Sequence, residues 1–155
     1  MKLYLMRHGH SPTAHEAGVH SDVERPLSER GIVEAQKAAE QLKARAAAPG
    51  LALCSPLVRA RQTAEQVAAA FGAPLRVYKP LDNLLSGAEL LELVLAEKWP
   101  SRELLLVGHM PQIGEAASRL AGEPMAYPTA GLAAFERGAD GEWRLLWRAG
   151  PDGRF

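Results

Sequence analysis

The sequence predicts an α/β fold with a mostly parallel central sheet covered by helices. Short apolar runs alternate with longer amphipathic runs along the chain, as expected when strands are buried between helical layers. Two of these runs end alike. Leu3-Tyr4-Leu5-Met6 leads directly into Arg7-His8-Gly9, and Leu104-Leu105-Leu106-Val107 leads into Gly108-His109-Met110-Pro111. Ligands of open α/β sheets bind in the crevice at the carboxyl ends of the strands, so each run delivers a histidine to where chemistry is expected. Gly9 reads as a flexible turn at the first of these ends.

Each element has its own signal. The first strand spans Lys2 to Met6. From His10 to Pro26 the chain carries Ser, Pro, Gly, Asp and two further histidines without a clear period, which reads as a loop over the strand end. Ser28 supplies the N-cap of a helix whose apolar positions Ile32, Ala35, Ala39 and Leu42 recur at helical spacing until Pro49-Gly50 ends the segment. Leu51 to Cys54 is a short strand. Pro56 opens a helix carrying Val58, Ala60, Thr63, Ala64, Val67 and Phe71, and Gly72 closes it. Leu75 to Tyr78 reads as a strand, and Ser86 caps a helix through Leu90, Leu91, Val94 and Leu95 that stops at Pro100. A deep strand follows from Glu103 to Val107, then a helix from Pro111 to Ala121 ended by Gly122. The final strands, Leu132 to Phe135 and Trp143 to Trp147, flank a hairpin turn at Gly138-Ala139-Asp140-Gly141. Trp99, Trp143 and Trp147 are expected to fill gaps or cover an edge.

Composition narrows the function. With 155 residues, 47% of them hydrophobic, the chain is expected to fold as a single domain over residues 1–155. Eighteen Lys and Arg balance 18 Asp and Glu, which argues against nucleic-acid and acidic-membrane partners and makes any phosphate affinity local. The opening run Met1 to Met6 is too short for a signal-peptide core, and no later stretch is long enough to span a bilayer, so a cytoplasmic location is expected. One cysteine, Cys54, excludes an internal disulfide and fits a reducing compartment.

The stretch Ser55-Pro56-Leu57-Val58-Arg59-Ala60-Arg61-Gln62-Thr63 follows the second strand. Free N–H groups and the positive dipole end at this helix start favour an anion, and Arg59 adds a bidentate donor for phosphate oxygens. With Arg7, two guanidiniums would surround one phosphoryl group, and His8 and His109 would complete the ring. Phosphoryl transfer is catalysed mainly by positioning and charge neutralisation, so such a ring needs no metal or other cofactor. Neutral imidazole is a competent nucleophile when its other nitrogen donates to an acceptor, and a backbone carbonyl near Gly9 suits that role.

At these residues the sequence resembles the histidine phosphatase superfamily, the group related to the phosphoglycerate mutases. Arg7-His8-Gly9, Arg25-Pro26-Leu27-Ser28 with Gly31, Ser55-Pro56-Leu57 to Arg59-Ala60 with Gln62-Thr63, and Gly108-His109 match its pattern in order and approximate separation. Size and motifs are most similar to the SixA-type phosphohistidine phosphatases. The resemblance implies a three-layer α/β/α sandwich and a metal-independent phosphatase. It further implies that His8 is transiently phosphorylated while Arg7, Arg59 and His109 bind the phosphoryl group. A second step, attack by water on the phosphoenzyme, gives double displacement with retention at phosphorus.

Departures from the family pattern bear on substrate. Many members carry a glutamate general acid where this chain has Asn83, within Leu81-Asp82-Asn83-Leu84, which leaves the neighbouring Asp82 as a candidate. A phosphoramidate needs less help from an acid, because imidazole leaves more readily than an alkoxide, so this departure favours phosphohistidine on a protein over a sugar phosphate. Mutase-like members also tend to carry an asparagine shortly after Arg-His-Gly-x-Ser, absent here after Ser11. Between Tyr78 and Glu103 there is room for one helix and its loops, so an open crevice without a large lid is expected. Two other readings stay open: a small-molecule phosphomonoesterase, and a phosphohistidine-binding module that does not turn its target over.

Several residues have plainer roles. Arg25 and Ser11 are candidate substrate contacts, and Arg25 equally suits a structural ion pair. His8 and His10 form an H-x-H metal half-site, but no further histidine and carboxylate cluster has ligand spacing. His15 and His20 read as solvated, and Arg61, two residues from Arg59, as a surface residue. Cys54 precedes Arg59 by one residue too few for the loop of a cysteine-dependent phosphatase and reads as a buried, inert thiol.

Overall fold

A computed structural model describes residues 1–155. Its strands are β1 (Lys2–Arg7), β2 (Leu51–Cys54), β3 (Leu75–Val77), β4 (Glu103–Gly108), β5 (Leu132–Arg137) and β6 (Trp143–Ala149). The helices are α1 (Ala14–Ala17), α2 (Glu29–Ala44), α3 (Val58–Ala69), α4 (Gly87–Ala96) and α5 (Gln112–Ala121). They build a six-stranded sheet in the order β3-β2-β4-β1-β5-β6. Its first four strands in that order are mutually parallel, β5 pairs antiparallel with β1, and β6 pairs antiparallel with β5.

Alternation along the strands divides the core into two layers. Leu3, Leu5, Leu53, Leu104 and Leu106 face α4 and α5, packing on Leu90, Leu91, Val94 and Ile113. Tyr4, Met6, Cys54, Leu105 and Val107 face the other way, onto Ala38, Ala39 and Leu42 of α2 and Ala60, Ala64 and Val67 of α3. Strands buried on both faces need continuous apolar runs, which is how these read in the sequence. Each buried leucine contributes about 1.5–3 kcal/mol by leaving water. The fold is therefore the expected α/β/α sandwich, and no helix is long and apolar enough to cross a membrane.

The helix starts follow local chemistry. Ser28 Oγ accepts from Gly31 N–H, and Ser86 with Glu89 forms a complete capping box at α4. Between β5 and β6, Gly138 N–H donates to Glu142 O, closing the expected hairpin. Three expectations are corrected. The segment from His10 to Pro26 contains α1 and a 3-10 turn at Asp22–Glu24, each too short to show a period. The second long helix begins at Val58 rather than Pro56. Ile32 is 38% exposed, and the buried face of α2 is Gly31, Glu34, Ala35, Ala38, Ala39 and Leu42.

Parallel pairing positions the site. The β1/β4 register places Arg7 opposite Gly108, so His8 and His109 leave adjacent strands side by side. On the other side of β4, Cys54 pairs with Val107, and Ser55 N–H donates to Val107 O. Three neighbouring strand ends thus deliver Arg7-His8, His109 and the start of α3 to one place.

Candidate active site

His8 is held by its own turn. Its Nδ1 lies 2.7 Å from Gly9 O, an acceptor only, so Nδ1 carries the proton and Nε2 the lone pair of the neutral ring. Arg59 Nε donates to that Nε2 at 3.3 Å. His8 and His109 have ring centroids 5.1 Å apart. Burial pushes His8 down to about 3, against the opposing bond to Gly9, with the charges of Arg59 and Arg7 acting in the same direction as burial. Burial likewise pushes His109 down to about 4. Both shifts favour the neutral ring at physiological pH.

The surroundings explain the motif residues. Gly9 N–H donates to Thr63 Oγ1 at 3.1 Å, and Thr63 Oγ1 donates to Arg59 O at 2.7 Å, tying the His8 turn to the helix that carries Arg59. Gln62 Oε1 accepts from Leu27 N–H, fixing the entry to α2. Gly9 is required by a close approach rather than by flexibility: a Cβ there would lie 2.7 Å from Gly31 O, and one at Gly31 would lie 2.1 Å from His10 O.

His109 Nε2 lies 2.7 Å from Ser55 Oγ, which itself accepts from Leu57 N–H. A Ser55 hydroxyl that donates to Nε2 leaves the His109 proton on Nδ1, and one that accepts from Nε2–H leaves Nδ1 an acceptor. That Nδ1 is buried without a partner, as is Arg7 Nε, while Arg7 Nη1 donates to Tyr127 O at 2.9 Å. Buried polar atoms rarely go unpaired, and these two belong to residues at the ends of adjacent strands.

Arg59 is 7% exposed and already engaged. Its Nη1 donates to Asp22 O at 2.7 Å and its Nη2 to the Asp22 carboxylate at 3.1 Å. Arg25 shares that carboxylate through Nη1 at 2.9 Å and also donates to Pro12 O and Ser11 O. The Arg25 bond, followed by those of Arg59, holds the Asp22 carboxyl below its ordinary range. Ser11 donates to Pro26 O, closing the loop on itself. The structure thus brings Arg7, His8, Arg59 and His109 together, and links Arg25 to them through Asp22.

The expected open crevice is corrected. His8 is 9% and His109 2% exposed, and neither they nor Arg7 and Arg59 line any of the surface cavities. The 3-10 turn at Asp22–Glu24 reaches Arg59 instead. Sequence reasoning missed Asp22, which lies in a segment without period. It also missed Glu34, whose signal was a charged residue on the alanine face of α2.

Of the doubtful residues, Asn83 Nδ2 donates to Met110 O and its Oδ1 accepts from Gln112 N–H, so its amide staples the loop to α5. Asp82 pairs with Lys79 at 3.0 Å and accepts from Leu84 N–H. His10 Nδ1 faces Ser28 Oγ, away from the bond made by His8. No group of three or more His, Cys, Asp or Glu is arranged to hold a metal ion. Arg61 is exposed beside Glu65, and His15 and His20 are exposed. Cys54 is fully buried, with its thiol pushed up to about 11 by desolvation.

Comparison with known proteins gives the family and the fold. Residues 3–89 match the histidine phosphatase superfamily (branch 1). An uncharacterized protein of Picosynechococcus sp. is 37% identical over 90% of this chain and 87% of its own. The phosphohistidine phosphatase SixA of Escherichia coli is 28% identical over 97% of this chain and 94% of its own. A solved protein histidine phosphatase SixA complexed with tungstate superposes with a TM-score of 0.81 at 26% identity, covering 98% of each chain. These findings bear out the family resemblance, SixA type included, and support a phosphatase activity. The chain belongs to the histidine phosphatase superfamily, branch 1.

Proposed function

We propose that the protein is a phosphohistidine phosphatase that works as one domain, without a metal, through a phosphoenzyme on His8. The observation that carries this reading is the tautomer of His8. Its Nδ1 donates to Gly9 O, which leaves the Nε2 lone pair facing Arg59 inside a ring of cationic and neutral donors. A binding module has use for the arginines but none for a prepared nucleophile.

The chemistry proceeds in two displacements. The phosphoryl group takes Arg59 from Asp22, which also frees His8 Nε2. The Nε2 lone pair forms a bond to phosphorus while the bond from phosphorus to the leaving nitrogen breaks, and its electron pair leaves with the imidazole. Arg7 and Arg59 neutralise the equatorial oxygens, and His109 Nδ1–H donates to one of them. Water then attacks phosphorus from the vacated side, the Nε2–P bond breaks, and its electrons return to His8. The water oxygen ends in inorganic phosphate, its protons shared between phosphate and solvent.

The protein-histidine substrate is supported by the segment Leu81-Asp82-Asn83-Leu84, where the family resemblance implies a glutamate acid that this chain lacks. Asn83 is held by main-chain groups and Asp82 by Lys79, so no free carboxylic acid is prepared to protonate an alkoxide. A protonated imidazole on phosphorus leaves without one. SixA of Escherichia coli is a phosphohistidine phosphatase by its description, and the tungstate-bound SixA structure is described as a protein histidine phosphatase. The test is a side-by-side rate comparison, with chelator present, on a phosphohistidine protein, a phosphoserine peptide and a sugar phosphate. The phosphohistidine protein is expected to turn over fastest, with no change on chelation. Preference for the sugar phosphate would establish the small-molecule phosphomonoesterase instead.

A further inference from the structure

We propose that Glu34 is a positioning residue for His8, acting through the peptide group between Gly9 and His10. This rests on the reading of His8 as the nucleophile. Glu34 Oε1 accepts from His10 N–H at 2.8 Å, and the carbonyl of that same peptide, Gly9 O, accepts from His8 Nδ1 at 2.7 Å. A carboxylate and an imidazole therefore sit at opposite ends of one conjugated amide.

The amide transmits charge because its nitrogen lone pair is delocalised onto the carbonyl oxygen. A carboxylate on the N–H increases the negative charge on that oxygen, and successive hydrogen bonds strengthen one another in a buried setting. Glu34 thus fixes the proton on Nδ1, keeps the lone pair on Nε2 and stabilises the cationic ring formed when Nε2 bonds phosphorus. A carboxylate in direct contact with histidine does the same in a serine protease triad. Here one peptide is interposed.

The placement is specific. Glu34 is 8% exposed on a helix face otherwise made of Gly31, Ala35, Ala38, Ala39 and Leu42, where a charge is costly unless it is paired and hydrogen-bonded. Its remaining contacts are Thr129 Oγ1 at 2.9 Å and the exposed Arg30 at 3.5 Å. The peptide itself is fixed. Thr63 takes Gly9 N–H, Ser28 N–H donates to His10 O, and α2 passes so close that Gly31 cannot bear a Cβ.

Glu34→Gln tests the proposal, because the amide oxygen can still accept from His10 and Thr129 while the charge is gone. Two quantities are read: the His8 Nδ1–H proton resonance in the ligand-free protein, and the single-turnover rate of phosphoenzyme formation from phosphoramidate. The resonance is expected to move upfield and the rate to fall about tenfold, the lower end of what losing the outer partner of a metal-bound histidine costs. Phosphate inhibition should be unchanged. Glu34→Asp, which keeps the charge but moves it back by a methylene, is the second variant and should give intermediate values. Wild-type resonance and rate in both variants overturn the proposal, as does slowing without the shift or a shift without slowing. A parallel His8→Ala sample separates the two readings. If it still forms phosphoenzyme, His8 is not the nucleophile, whereas the resonance judges Glu34 without any turnover.

Discussion

Arg59 grips Asp22 twice, through Nη1 to the main-chain oxygen and Nη2 to the carboxylate, while its Nε lies 3.3 Å from His8 Nε2. An anion from the protein's own loop therefore occupies the guanidinium that the proposed mechanism gives to the phosphoryl group. In the proposed mechanism, the exchange that admits a phosphoryl group also frees His8 Nε2.

Asp22→Asn removes the competing charge while keeping a polar side chain in the loop. The Asp22 side chain is 62% exposed, so the pair is solvent-screened and worth no more than about 1 kcal/mol. Inorganic phosphate should inhibit the variant about two- to fivefold more tightly. Unchanged or weaker inhibition would show that Asp22 does not compete for Arg59.

Loss of Arg59 should be far more costly. It is the guanidinium in contact with His8, and removing one preorganised donor to developing charge typically lowers kcat by about 10²–10³. Arg59→Ala should lose about that much in kcat/KM with the fold retained. Arg59→Lys should recover little, because an ammonium cannot span two oxygens from a fixed plane. Steady-state kinetics with circular dichroism on both variants checks this.

Acid should destabilise the protein through its histidines. The folded values of His8 and His109, about 3 and about 4, lie below the ordinary 6.5. Below 6.5 the unfolded chain therefore binds protons that the native state refuses, and stability falls as pH drops towards the folded values. The slope approaches about 1.4 kcal/mol per pH unit for each histidine. Urea midpoints at about pH 7 and about pH 5 should show a smaller loss for His8→Gln than for wild type. An equal loss in both would contradict a buried neutral His8.

The fold and half the site were legible because each depends on a short-range pattern. Apolar runs such as Leu104 to Val107 mark strands buried on both faces, and Arg7-His8 and Gly108-His109 mark their ends. The Ser28 and Ser86 caps are chemical signals one turn long. What escaped depends on tertiary placement. The α2 face is set by the contact of Gly31 with His10 O, which turns Ile32 outward and Glu34 inward. The position of Asp22 follows from Arg25 and Arg59 reaching it across the loop, and no periodicity records that.

The most direct measurement is the site of covalent phosphate during turnover. Labelled phosphoprotein, trapped under conditions that spare acid-labile phosphoramidates, should carry its phosphoryl group on His8, and His8→Ala should carry none. Label on Ser55 or Cys54, or undiminished label in His8→Ala, would contradict the account.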